Sequence, residues 1–153
     1  MRRLILFATC LGCYAPPPAP AATEAVEEIT LHRTISGLGY GAHYTVTLRS
    51  DGTASYHGLA NVPMFGDYQA RVDQEAFRRL VEHAIRIGFW TLEDKYRGRA
   101  SDQPSTTTTL VASGRRKEVF NYGLAAPNEV REFENAIEDV ARRLAWRAVS
   151  DRD

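Results

Sequence analysis

The sequence predicts an α+β domain: an antiparallel sheet of about six strands in the order ββββαββα, with two helices packed on one face. Three observations lead there. Short runs rich in Thr, Val, Tyr and Leu alternate apolar with polar residues and are separated by Gly- and Asp-containing turns. Two longer stretches carry apolar residues at helical spacing. Four strand-like runs precede the first helix and two precede the second, the pattern of a sheet with helices gathered on one side.

Each element has its own warrant. Ile29–Thr34 alternates and reads as the first strand. Gly37–Gly41 is a glycine-rich connection, Tyr44–Leu48 a second strand, and Ala54–Leu59 a third. Between the last two, a three-residue turn with Gly52 in the left-handed conformation faces Leu48 with Ala54, Val46 with Tyr56 and Tyr44 with Gly58. That register gathers one apolar face. A two-residue turn would mix the faces, so the first is preferred. Phe65–Val72 reads as a fourth strand.

Asp73 caps a helix over Gln74–Ile87, with Val72 and Phe77 as a hydrophobic staple across the cap. Gly88 stops it. Phe89, Trp90 and Leu92 close the core beneath, and Glu93–Ser105 reads as a polar loop. Thr106–Ala112 and Lys117–Tyr122 form a hairpin. Pro127 opens the last helix, whose stripe is Val130, Phe133, Ile137, Val140, Ala141 and Leu144. Its glutamates sit early and its arginines late, as the helix dipole favours.

The N-terminus reads as an export address. Arg2 and Arg3 precede the apolar run Leu4–Gly12, which is shorter than the ~20 residues needed to span a bilayer. Residues 1–13 are expected to be a signal peptide, 14–27 a Pro/Ala-rich tether, 28–147 the folded domain and 148–153 a disordered tail. Two processing routes fit. Cys13, preceded by Gly12, would be the lipid-bearing residue of a lipoprotein of the periplasm or outer membrane. Cleavage after Ala21 would release a secreted protein. Cys10 stands where a lipobox usually has Leu. The prolines would hold a domain off a membrane surface.

Charge narrows the partners. Removing Arg2 and Arg3 lowers the 19 basic residues to 17 against 19 acidic, a net charge of −2. No basic face for nucleic acid is expected. Cys10 and Cys13 are the only cysteines, so the folded part has no internal disulfide and no thiolate nucleophile.

The candidate sites are sparse. His43 and His57 fall on one sheet face as diagonal neighbours. Two imidazoles suit a transition metal, but a third ligand is not evident nearby. His32 and His83 look isolated. Asp102, with Pro104 and Thr106, suggests a binding loop where a carboxylate and hydroxyls converge. The alternative is a turn in which Asp102 bonds backbone N–H groups. Thr106–Thr109 offers hydroxyls on a single strand, which is not an array. No serine sits in a nucleophile elbow. No catalytic residue, cofactor site or metal site is expected.

The motifs Tyr44-x-Val46, Asp51-Gly52, Tyr56-x-Gly58, Phe89-Trp90, Asp102-x-Pro104-x-Thr106-Thr-Thr-Thr109 and Tyr122-Gly123 resemble a family of bacterial envelope domains of unknown function. The resemblance covers roughly Ile29 to Leu144. It implies this fold and export, often as a lipoprotein, and no reaction. Its members usually carry a cysteine pair followed by proline, where this chain has Gly37, Gly41 and Ala42. The resulting expectation is a non-catalytic envelope module binding a protein, peptide or glycan. An enzyme with a dispersed site, or an inhibitor or immunity-type partner of an envelope protein, are the alternatives.

Overall fold

The computed structural model describes residues 25–149; the proposed signal segment, Cys13 and most of the tether lie outside them. Eight strands form one sheet: β1 (Val26–Thr34), β2 (His43–Arg49), β3 (Thr53–Ala60), β4 (Gly66–Arg71), β5 (Lys95–Arg97), β6 (Ser105–Ala112), β7 (Arg115–Tyr122) and β8 (Arg147–Ala148). Helices α1 (Gln74–Arg86) and α2 (Asn128–Arg142) complete it. The order across the sheet is β5-β7-β6-β1-β2-β3-β4-β8.

The sheet corrects the expected architecture. It has eight strands, not about six, and it is mixed, because β5 runs parallel to β7. Both extra strands are too short to carry an alternation signal. β5 lies inside the stretch read as a polar loop. It forms because Lys117 reaches across to the carbonyl of Leu92 at 2.6 Å and to Asp94 Oδ1 at 2.5 Å, while the Phe120 amide donates to the Asp94 carbonyl. β8 forms because Trp146 folds back, its indole N–H donating to the Ala141 carbonyl at 2.9 Å. That sets Ala148 against Tyr68 and Arg147 against Gln69. These edges of three and two residues leave little unpaired backbone for edge-to-edge association. β1 also begins earlier than expected, at Val26 rather than Ile29.

The central hairpin takes the register the apolar pattern favours. Leu48 pairs with Ala54, Val46 with Tyr56 and Tyr44 with Gly58. Gly52 supplies the turn with φ +82°, which a side chain would strain. Ile29, Leu31, Val46, Leu48, Leu110 and Val119 are fully buried on one face, in one core with Phe77, Leu80 and Ala84 of α1 and Val130, Phe133 and Ile137 of α2. Asp73 caps α1 by accepting from the amides of Glu75 and Ala76. Val72 and Phe77 are both buried, as a staple requires. α1 carries the chain from the β4 side to the opposite edge, where β5 starts. The other face of the sheet alternates outward and has no element across it among the described residues.

Candidate functional site

Two features could carry function: an aromatic cleft at one end of the helix-covered face, and the open face of the sheet. The cleft forms where β2 and β3 meet the C-terminal half of α2. Tyr44 and Tyr56 come from the core-facing side of the hairpin. Trp146 comes from the segment folded back after α2, and Met64 from the β3–β4 turn. Glu138 and Arg142 contribute the polar wall. Together they line an open cavity of about 580 Å³.

The rings are mutually fixed. Tyr44 and Tyr56 stack with centroids 5.4 Å apart, and Trp146 tilts against Tyr56 at 5.7 Å. Glu138 accepts from both the Tyr44 hydroxyl and Arg33 Nε, so three elements meet at one carboxylate. Burial, then the bond to Glu138, pushes the Tyr44 phenol well above its usual range. Tyr44 therefore stays a neutral donor. Gly58 permits the narrow approach of the turn: a Cβ there would lie 1.9 Å from the Met64 carbonyl oxygen.

Behind this wall lies a buried polar pair. Glu134, one turn before Glu138, is 2% exposed. Both its oxygens accept from the Asn121 amide group at 3.1 Å, and Asn121 Oδ1 accepts from the Ala126 amide at 2.9 Å. Burial raises the Glu134 carboxyl above its usual range; Asn121 and Arg33 pull it partway back.

The two loops that supply Ala42 and Met64 to the cleft also carry exposed apolar side chains. Leu38 and Tyr40 are each 70% exposed and Phe65 is 74% exposed. They stand on two loops that Asn61 ties together, its side-chain amide donating to the carbonyls of Gly39 and Gly41 at 2.7 and 3.0 Å.

The open face holds His32, His43 and His57. His43 does not meet His57. A register slip between Tyr44–Gly58 and His43–Ala60 re-aims His43. It contacts His32 instead, with Nε2 atoms 3.5 Å apart and rings stacked. His32, expected to stand alone, is thus half of a pair. Burial, then the neighbouring His43, lowers its pKa. His57 Nδ1 pairs with Asp67 at 2.5 Å. His83 packs edge-on against Phe133 between the helices. Among the described residues no group of three or more His, Cys, Asp and Glu side chains is arranged to hold a metal ion.

The threonine strand divides between the faces. Thr106 and Thr108 are buried on the helix side, at 4% and 0% exposure. Thr107 and Thr109 lie on the other face, and Thr109 continues across the sheet through Thr30, Thr47 and Ser55 in one register row, with Thr109 and Thr47 themselves buried among their neighbours. The hydroxyls thus form a row across four strands, which the single-strand reading did not anticipate. Asp102 is exposed at φ +55°, in a different environment from the buried Thr106. A Cβ on Gly37 would lie 2.8 Å from its Oδ1, so Asp102 backs the glycine-rich loop.

The missed residues are Glu134, Glu138 and Arg33. One signal was available for Glu134: it stands four residues after Val130 and three before Ile137, on the apolar stripe itself. A charge on a buried stripe needs a partner across the core.

The chain belongs to a family described as a domain of unknown function (DUF6438), which matches residues 27–141. No curated protein matches it. No helix among the described residues is long and apolar enough to cross a membrane.

Proposed function

We propose that this domain is a non-catalytic docking module that seats a segment of a partner protein at the loop end of its sheet. The observation that carries the reading is the exposure of Leu38, Tyr40 and Phe65 on the two loops that also supply Ala42, Val62, Pro63 and Met64 to the wall of a Tyr/Trp-lined cleft. Exposed apolar side chains gathered at one place mark interaction surfaces, and Tyr and Trp are the residues that most often dominate binding energy. The rings are already packed, so little freedom is lost on binding. Glu138 is engaged by Arg33 and Tyr44, which suits a fixed hydrogen-bonding wall better than a general base. A protein segment is favoured over a glycan because the exposed groups on these loops are aliphatic as well as aromatic.

Export and a lipid on Cys13 belong to the same proposal. A tether of prolines between the anchor and Val26 would hold the cleft clear of the bilayer in the cell envelope.

Site-specific photo-cross-linking in the native host tests the reading. A photoreactive residue at position 40 or 65 is expected to give one discrete adduct, and one at position 118, on the open face, none. Trp146→Ala should abolish the adduct while the domain still melts cooperatively. The same adduct from all three positions, or none from 40 and 65, overturns the proposal.

A further inference from the structure

We infer that a basic basin at the β4–β8 corner of the open face docks an acidic segment of a partner protein, independently of the aromatic cleft. The basin has a volume of about 690 Å³ and is framed by Arg49, Arg71 and Arg147. Among the described residues, no carboxylate lines it. Its composition follows from strand pairing. Gln69 pairs with Ser55 on one side and Arg147 on the other, and Arg71 pairs with Thr53. Residues paired across strands share a face, so the three arginines surround a floor of Thr53, Ser55 and Gln69. A formal charge of zero for the whole chain hides this corner, because a sum carries no position.

The neighbouring carboxylates are already engaged. Glu28 accepts from Arg49 Nε at 3.0 Å, Asp51 from the Thr53 amide and hydroxyl at 2.8 and 2.6 Å, and Asp67 pairs with His57. Arg71 reaches only the Asp51 carbonyl, at 3.5 Å. The side chains of Arg147, Ser55 and Gln69 have no hydrogen-bond partner among the described residues. Two guanidiniums therefore stand without a carboxylate, beside a free hydroxyl and a free amide.

The spread of charge selects the ligand. Arg49 lies on β2, Arg71 on β4 and Arg147 on β8, three strand steps in all. At about 4.8 Å per step they span roughly 14 Å. Several carboxylates along one chain match that span, and a single phosphate does not. The arginine fork suits each carboxylate, because it can donate two parallel bonds. Ala145, Ala148 and Val149 form an aliphatic border that fits peptide side chains, and no aromatic ring lines the basin for a nucleic-acid base to stack on. The chain itself leads away from the basin: β8 is antiparallel to β4, and the Val149 amide donates to Asp67, on the far side of Gln69 from Arg71.

Fluorescence anisotropy of a labelled oligoglutamate peptide titrated with the full chain tests the surface. Saturable binding that weakens with salt is expected. Exposed ion pairs are individually modest, so Arg71→Gln and Arg147→Gln should each weaken binding about three- to fivefold, and the double variant at least about tenfold. Arg116→Gln, on β7 of the same face, should leave it unchanged, as should Asp151→Asn/Asp153→Asn. An oligoglutamine peptide of equal length should not bind the parent chain, a comparison that decides even if a variant folds poorly. Equal binding of the two peptides, binding that survives the double substitution, or an equal loss with Arg116→Gln overturns the assignment. So does displacement of the peptide by inorganic phosphate, tighter binding of polygalacturonate, or tighter peptide binding after Asp151→Asn/Asp153→Asn, which would make the chain's own tail the occupant.

Discussion

Replacing Asn121 with alanine tests whether Glu134 is kept inside the fold by a dedicated partner. Asn121 is 2% exposed, donates to both Glu134 oxygens and accepts from the Ala126 amide. At pH 4 the variant orphans the Ala126 N–H and leaves a small void, a cost of about 2–3 kcal/mol. At pH 8 a second loss is added. The unfolded chain then carries Glu134 ionised, and the fold must either bury that charge or keep it protonated. Because burial already raises the folded carboxyl above its unfolded value, its stabilising contribution is complete below the unfolded pKa and declines as pH rises through the folded one. Asn121 opposes that decline by bonding the charged form. Removing it widens the gap, at roughly 2 kcal/mol for a lost bond to a charged group. The total at pH 8 is about 4–5 kcal/mol. Urea denaturation at the two pH values measures this as a midpoint lowered by roughly 1 M at pH 4 and about twice that at pH 8, for a slope near 2 kcal/mol/M. Glu134→Gln should flatten the pH dependence. Equal losses at pH 4 and pH 8, or a loss under about 1 kcal/mol at both, would refute the assigned role.

Two further outcomes follow from local geometry. Gly58→Ala places a Cβ against the Met64 carbonyl, so the β3–β4 turn must move; thermal melts should show a loss of at least about 2 kcal/mol, with Trp146 fluorescence shifted by the altered cleft wall. Asp73→Ala removes the side-chain acceptor of two amides at the start of α1, and chemical denaturation should show a loss of about 1 kcal/mol that Asp73→Ser largely restores.

Much of the fold was legible because its signals are local. The β2–β3 register follows from which residues share an apolar face, and the start of α1 from Asp73 with Val72 and Phe77 around it. The edge strands were illegible for the opposite reason. β5 depends on Lys117, more than twenty residues away, and β8 on the return of Trp146 to α2. Neither has enough residues for a period to appear, and both turn an expected antiparallel sheet of six into a mixed sheet of eight. The sites divide similarly. Tyr44 and Tyr56 are ordinary apolar-face residues of the hairpin in sequence, and Trp146 lies beyond the last helical stripe. Only the closure of the chain after α2 makes them a cleft. His43 pairs with His32 rather than His57 because one residue of slip redirects it, which alternation alone does not reveal.

The glycine-rich loop belongs to the proposed docking surface. It has no cysteine, so its ties are hydrogen bonds. Ser36 is 4% exposed; its amide donates to the Tyr40 carbonyl, and its hydroxyl accepts from the Tyr40 amide. Asn61 then holds the carbonyls of Gly39 and Gly41 from the neighbouring turn. Five hydrogen bonds among Ser36, Gly39, Tyr40, Gly41 and Asn61 thus fix a segment whose two large side chains point outward. An exposed Leu and Tyr on a floppy loop would cost solubility and return little on binding, because ordering them would consume the gain. On a pinned loop the ordering cost is met in folding. The same ties connect this loop to the turn bearing Met64 and Phe65, so the two loops that border the cleft are held together. That favours the loop, rather than the hydroxyl row on the open face, as the anchor of the proposed docking surface.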